Sequence, residues 1–164
     1  MVKVTLKDDV VKEFQSGTTV MDIAKSIGMG LYKAACLAKI DGETCDLRTP
    51  VTKDCHVEIL TFDDEDGKKA FWHTTSHILA QAVKRLYPSA KLAIGPSIAN
   101  GFYYDFDMAP LTREDLDAIE KEMKKICKDG KRIVRREISK EEALEMFNKI
   151  DKNAFEAVSY THLR

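Results

Sequence analysis

Val2, Val4 and Leu6 alternate with polar residues at the start of the chain. A period of two suits a strand with one face buried, so the sequence predicts a strand here. Asp8-Asp9 marks a turn, and residues 10–14 read as a second strand. In SGTTVMDIAKSIG, Thr18 or Thr19 can cap a helix carrying Val20, Ile23, Ala24 and Ile27, and Gly28 is placed to end it. Leu37–Ile40 reads as a strand and Asp41-Gly42 as a turn. DLRTPV and CHVEILT then supply the closing strands, with alternation at Val57 and Ile59.

Strand, strand, helix, then strands, all within residues 1–61, is the order of a ubiquitin-like β-grasp module. FDDEDGKK follows, acidic and polar with one glycine, and residues 62–69 are read as a linker holding a domain boundary. Two small domains suit a chain of 164 residues.

Composition excludes several classes. Charged residues make up 32% and hydrophobic residues 44%, the balance of a soluble globular protein. A net charge of −1 gives no bulk attraction to DNA, RNA or a membrane surface, so any RNA contact needs a local basic patch. No apolar run approaches the roughly 20 residues of a membrane span, and MVKVTLKDD carries no signal segment. The four cysteines, Cys36, Cys45, Cys55 and Cys127, form no C-x-x-C pair and are read as structural free thiols of a reducing cytosol.

The second segment opens with FWHTTSHILAQAV, a helix that Pro88 should end. At about 100° per residue, His77 falls about 40° from His73, while Trp72, Thr75, Leu79, Ala82, Val83 and Leu86 lie on the opposite side. The histidines therefore share a face away from the apolar stripe. Three readings stay open on pattern alone. The face is solvated, or the pair holds a metal ion, or two neutral imidazoles position a water or accept a proton. A zinc peptidase motif fails, because no Glu follows His73.

Asn100-Gly101 in KLAIGPSIANGFYYDFD signals a hairpin, after which Phe102, Tyr104 and Phe106 share a strand face. Tyr104 on such a face is by itself an ordinary core residue. Thr112 and Asp115 resemble a capping box for a helix with Leu116, Ile119, Met123 and Ile126, ended by Gly130. A strand is predicted over 133–138, then a helix capped by Ser139 and Glu142 and lined by Leu144, Phe147 and Ile150. Between Lys124 and Arg136 the chain is strongly basic. Lys131, Arg132, Arg135 and Arg136 are the candidate phosphate-contacting residues, against the alternative of a solvated charged face.

The H-x-x-x-H of HTTSH with the following ILAQAVKRLYP, then IGP-x-I-x-NGFYYDFD, resembles the amino-terminal part of bacterial threonyl-tRNA synthetases. Residues 1–61 resemble the TGS domain of that family. Residues 70–157 resemble the start of its editing domain, a type shared with alanyl-tRNA synthetases. The resemblance implies an α+β fold, a β-grasp TGS domain followed by an incomplete editing domain. It also implies roles. The family's editing site hydrolyses serine wrongly attached to threonine tRNA, a need that follows because one methyl group is discriminated by only about 1–3 kcal/mol. By match, His73 and His77 would orient the terminal ribose hydroxyl and the attacking water, and Tyr104 would line the aminoacyl pocket.

The resemblance further implies that the full enzyme charges threonine tRNA using ATP, magnesium and a zinc ion, all in a ligase core that this chain does not reach. The family's homodimer forms through that core, in the cytoplasm. No cofactor or metal is expected in residues 1–164. The family's later D-x-C-x-x-x-H stretch also lies beyond Arg164, so the chain alone is expected to be inactive or nearly so. Glu156 stands near where the family has a lysine, a departure in either the register or the chemistry there. The last residues, VSYTHLR (158–164), depart from the family pattern and are read as a non-native tail, with no function for His162. A free-standing TGS-containing RNA-binding or regulatory module is the alternative from another class, and a zinc-binding protein built on His73 and His77 a second.

Overall fold

The computed structural model describes residues 1–131, 134 and 136–149, with the side chains of residues 147–149 excepted. Two compact units divide at Trp72/His73.

In the first unit, β1 (Val2–Thr5) pairs antiparallel with β2 (Val11–Phe14), through a tight connection in which Asp9 takes a φ of 58°. A short β3 (Thr18–Thr19) leads into α1 (Val20–Ile27), which is capped by Thr19: its Oγ1 accepts the Asp22 N–H at 3.2 Å and its hydroxyl donates to Asp22 Oδ2 at 2.6 Å. α2 (Met29–Ala34) follows at once. Then come β4 (Ala35–Ile40), β5 (Glu43–Cys45), β6 (Pro50–Val51) and β7 (Cys55–Thr61). The main sheet has the order β2-β1-β7-β4-β5, with the first and last long strands parallel at its centre.

Burial follows the alternation expected from sequence. Val2, Val4, Val20, Ile23, Val51 and Val57 form the core between α1 and the sheet, and Leu6, Ile40 and Ile59 pack at its margin. Two expectations need correction. Ile27, expected on the buried face of α1, is 40% exposed, because the helix ends there in an extended Gly28 (φ 173°) rather than continuing over the sheet. The linker read over 62–69 is largely helical: α3 runs from Glu65 to Leu86. Asp64 starts it, its Oδ2 accepting the Thr61 N–H at 2.8 Å, so the acidic residues serve a helix start rather than a flexible joint. Lys39 adds an ion pair to Asp66 at 2.8 Å.

In the second unit, residues 73–86 of α3 are followed by a long hairpin. β8 (Lys91–Leu92) pairs with β11 (Phe106–Asp107), and β9 (Ser97–Ile98) with β10 (Gly101–Phe102), both antiparallel. The hairpin turn lies one residue earlier than Asn100-Gly101: Ile98 is opposite Gly101, so Ala99 and Asn100 make the turn and Gly101, at φ 138°, opens the return strand. Phe102 and Phe106 fall in separate short strands with Tyr104 between them, so the single strand face expected for the three is interrupted.

α4 (Arg113–Asp129) carries the capping box as expected, with Thr112 as N-cap and Gly130 in the left-handed conformation at its end. Asp115 Oδ2 accepts from the Thr112 N–H at 2.8 Å and its hydroxyl at 2.7 Å, while Oδ1 accepts the Tyr87 hydroxyl at 2.5 Å. The Tyr87 bond, and then those from Thr112, hold this carboxyl below the usual range. Ile119 and Ile126 of α4 pack with Ala82, Val83 and Ala90 in the core of this unit. Leu116, expected on that face, is 51% exposed.

α5 (Lys140–Lys149) begins where Ser139 Oγ accepts the Glu142 N–H at 3.1 Å. Ala143, not Leu144, is its buried residue. Of the strand expected over 133–138, Val134 and residues 136–138 carry no strand, and Val134 is 67% exposed. Arg132, Ile133, Arg135, Ile150, Glu156 and the tail 158–164 lie outside the described residues, as does the Phe147 side chain.

Replacing Ile23 by Ala should lower the unfolding free energy of the first unit by about 2–5 kcal/mol, since the fully buried side chain leaves a cavity. Thr112→Ala should cost the second unit about 1 kcal/mol by removing the cap. Urea titrations following a tyrosine or tryptophan signal in each unit would check both values.

Candidate functional site

Helical geometry brings residues four apart to the same face, one turn above the other. In α3 this sets His73 over His77, with Nε2 to Nε2 at 3.1 Å, ring centroids 4.5 Å apart and planes at 83°. At that distance one nitrogen carries the hydrogen and the other supplies the lone pair. The pair is half-buried on its helix. It lines an open cavity of about 290 Å3, with residues 93–96 and Tyr104 of the hairpin opposite. Burial extends along the same side of the helix: Gln81 is 6% exposed.

Backbone pairing within the hairpin continues beyond β8 and β11. Ala93 N–H donates to the Asp105 carbonyl at 3.1 Å, and Asp105 N–H donates to the Ile94 carbonyl at 2.9 Å. Tyr104 therefore sits beside this ladder, stacked on Phe106 with centroids 4.7 Å apart and planes at 14°. Burial pushes the Tyr104 phenol up, so it stays protonated and able to donate at neutral pH. Burial also pushes the His77 imidazole down from its ordinary value, and the neighbouring His73 adds to that shift. The site thus favours a neutral imidazole beside a phenol. These groups can accept a proton, orient a water and hydrogen-bond an ester oxygen.

The sequence reading found His73, His77 and Tyr104, and the cavity brings the three together. It missed Ala93, Ile94, Gly95 and Pro96 as lining residues; the Gly-Pro dipeptide was the available signal. Of the basic candidates, Lys131 and Arg136 do not line this cavity. Lys131 and Arg136 are exposed, and Arg136 pairs with Glu142 at 3.6 Å. Arg132 and Arg135 lie outside the described residues. Among the described residues no group of three or more His, Cys, Asp or Glu could hold a metal ion.

Because the folded pKa of His77 lies below its unfolded value near 6.5, the unfolded chain binds more protons at mildly acidic pH. Stability conferred by the neutral imidazole is complete above that value and is lost as pH falls through the folded pKa. The urea midpoint should therefore drop on acidification below about pH 6.5, and His77→Gln should flatten the drop. The carboxyls of Asp115 and Glu122 are held below their usual range by their partners and so move away from this window.

The TGS domain family matches residues 2–61. The chain is 54% identical over 145 residues to the threonine--tRNA ligase of Acetivibrio thermocellus, covering 88% of this chain and 23% of that protein. It is 53% identical over 152 residues to that of Desulforamulus reducens, covering 92% and 24%, and 58% identical over 146 residues to that of Clostridium acetobutylicum, covering 88% and 23%. The chain spans about a quarter of the length of these curated relatives. Residues 2–61 thus match the TGS domain family, and the chain as a whole is similar over most of its length to the amino-terminal region of threonine--tRNA ligases.

Proposed function

We propose that this chain is the amino-terminal part of a cytoplasmic threonyl-tRNA synthetase, and that residues from His73 onward form the start of its editing site. The observation that carries the reading is the contact of His73 and His77 at 3.1 Å on the wall of a cavity shared with Tyr104. In editing, a water oxygen adds to the ester carbon that joins serine to the terminal ribose of threonine tRNA. The carbon–oxygen bond to the ribose then breaks, and the ribose oxygen takes up a proton. His73 and His77 orient the water and the neighbouring ribose hydroxyl, with His77 kept neutral and able to accept a proton. Tyr104 bounds the space for the aminoacyl group.

Charging of threonine tRNA with ATP and magnesium, and the zinc of the ligase core, belong to the part of the relatives beyond the matched quarter. A free-standing TGS module is less favoured, because the similarity extends well past residue 61 into the histidine helix and hairpin. The exposed apolar residues Ile94, Ile98 and Tyr103 on the hairpin suit a site that further residues complete. The acceptor end of threonine tRNA is the proposed partner, with Lys131 and Arg136, beside Arg132 and Arg135, contacting its phosphates.

The test has three parts. A non-hydrolysable amide analogue of the serine ester of adenosine should bind the chain, and His77→Ala should weaken that binding about tenfold. Hydrolysis of threonine tRNA mischarged with serine should stay near background for the chain alone and appear once the chain extends through D-x-C-x-x-x-H; a near-full rate from this chain would refute that requirement. Removing the charges of Lys131 and Arg136 should reduce the salt slope of tRNA binding by about 1 for each phosphate left unneutralised, and an unchanged slope rules out the basic residues as the RNA surface.

A further inference from the structure

Four residues, 93–96, separate Leu92 from Ser97 on one arm of the hairpin, whereas three, 103–105, separate Phe102 from Phe106 on the other. The extra residue falls where Asp105 bonds both Ala93 and Ile94, directly before Gly95. Gly17, Gly42 and Gly101 have conformational reasons, with φ of 93°, 85° and 138° and open space beyond their Cα atoms. Gly95 is the reverse case. Its φ is not positive, yet a Cβ placed on it would lie 2.2 Å from Tyr104 Cδ2, 2.4 Å from Cε2 and 2.9 Å from Cγ. The ring of Tyr104 occupies the volume that any side chain at 95 would need. Phe106 holds one face of that ring, so the tyrosine has little freedom to retreat.

We infer that Gly95 is a positioning residue: the absence of its side chain fixes where the Tyr104 ring stands beside the His73–His77 pair. The importance of this for ester hydrolysis rests on the editing reading above; the placement of the ring does not. Gly95→Ala must push the ring aside, because contacts below 3 Å between carbon atoms cannot persist. A displaced ring opens the cavity wall, admits water to His77 and loosens the bound aminoacyl group.

The experiment compares Gly95→Ala, Tyr104→Ala and the double variant in the complete chain. Imidazole NMR signals are followed through a pH titration, and the same amide analogue is titrated by calorimetry. Gly95→Ala should move the His77 midpoint up towards that of a free imidazole, shift the Tyr104 ring signals and weaken the analogue about tenfold. In the Tyr104→Ala background, adding Gly95→Ala should change neither readout, because the ring it displaces is gone. Unmoved His77 and Tyr104 signals in Gly95→Ala would overturn the inference. So would a full additional effect of Gly95→Ala on top of Tyr104→Ala, since the glycine would then act through the backbone. If Gly95→Ala alone fails to fold, recovery of the fold in the double variant supports the inference and failure of the double variant overturns it. A wild-type chain that does not bind the analogue would defeat the editing reading, while the titration would still decide the role of Gly95.

Discussion

Two neutral imidazoles can hydrogen-bond only if one ring nitrogen donates and the other accepts, and the 3.1 Å contact between His73 and His77 depends on that asymmetry. Protonating both rings would set two donors and two positive charges face to face. Burial of His77 opposes its charging in the same direction. Burial and the neighbouring ring thus both disfavour a charged His77. Everything else in the second unit supports this contact. α3 supplies the spacing, the core of Ala82, Val83, Ile119 and Ile126 holds the helix in place, and the hairpin closes one side of the cavity.

The hairpin works as a wall because its ladder is continued past β8 and β11, where Asp105 bonds both Ala93 and Ile94 and the register shifts by one residue. The first unit has its own organising feature. The parallel pairing of β1 with β7 joins the two ends of the module, and α1 covers the sheet through Val20 and Ile23. That order is a β-grasp, and the matched TGS domain spans the same residues.

Features with local causes were legible. Thr19 and Thr112 cap helices, Gly130 ends one in the left-handed conformation, and Asp41-Gly42 makes a turn, because each depends on residues within one turn of the chain. The alternation of Val2 and Val4 marked the buried sheet face, and that of Val57 and Ile59 did so with Val57 buried and Ile59 at the margin of the core. Misreadings arose where no local pattern existed. α2 has no buried residue and hence no apolar period. The acidic run 63–66 looked like a linker because its role as a helix start depends on Thr61 and Lys39.

By itself, the sequence determined the β-grasp order of the first unit, the four-residue spacing of the histidines and the hairpin that follows them. These follow from backbone periodicity and turn chemistry, which act between near neighbours. Only the tertiary structure decided that the histidine face is covered, that Tyr104 stands on the same cavity, and that Gly95 makes room for its ring. Burial and excluded volume are set by atoms brought together from distant parts of the chain, and no spacing within one segment encodes them.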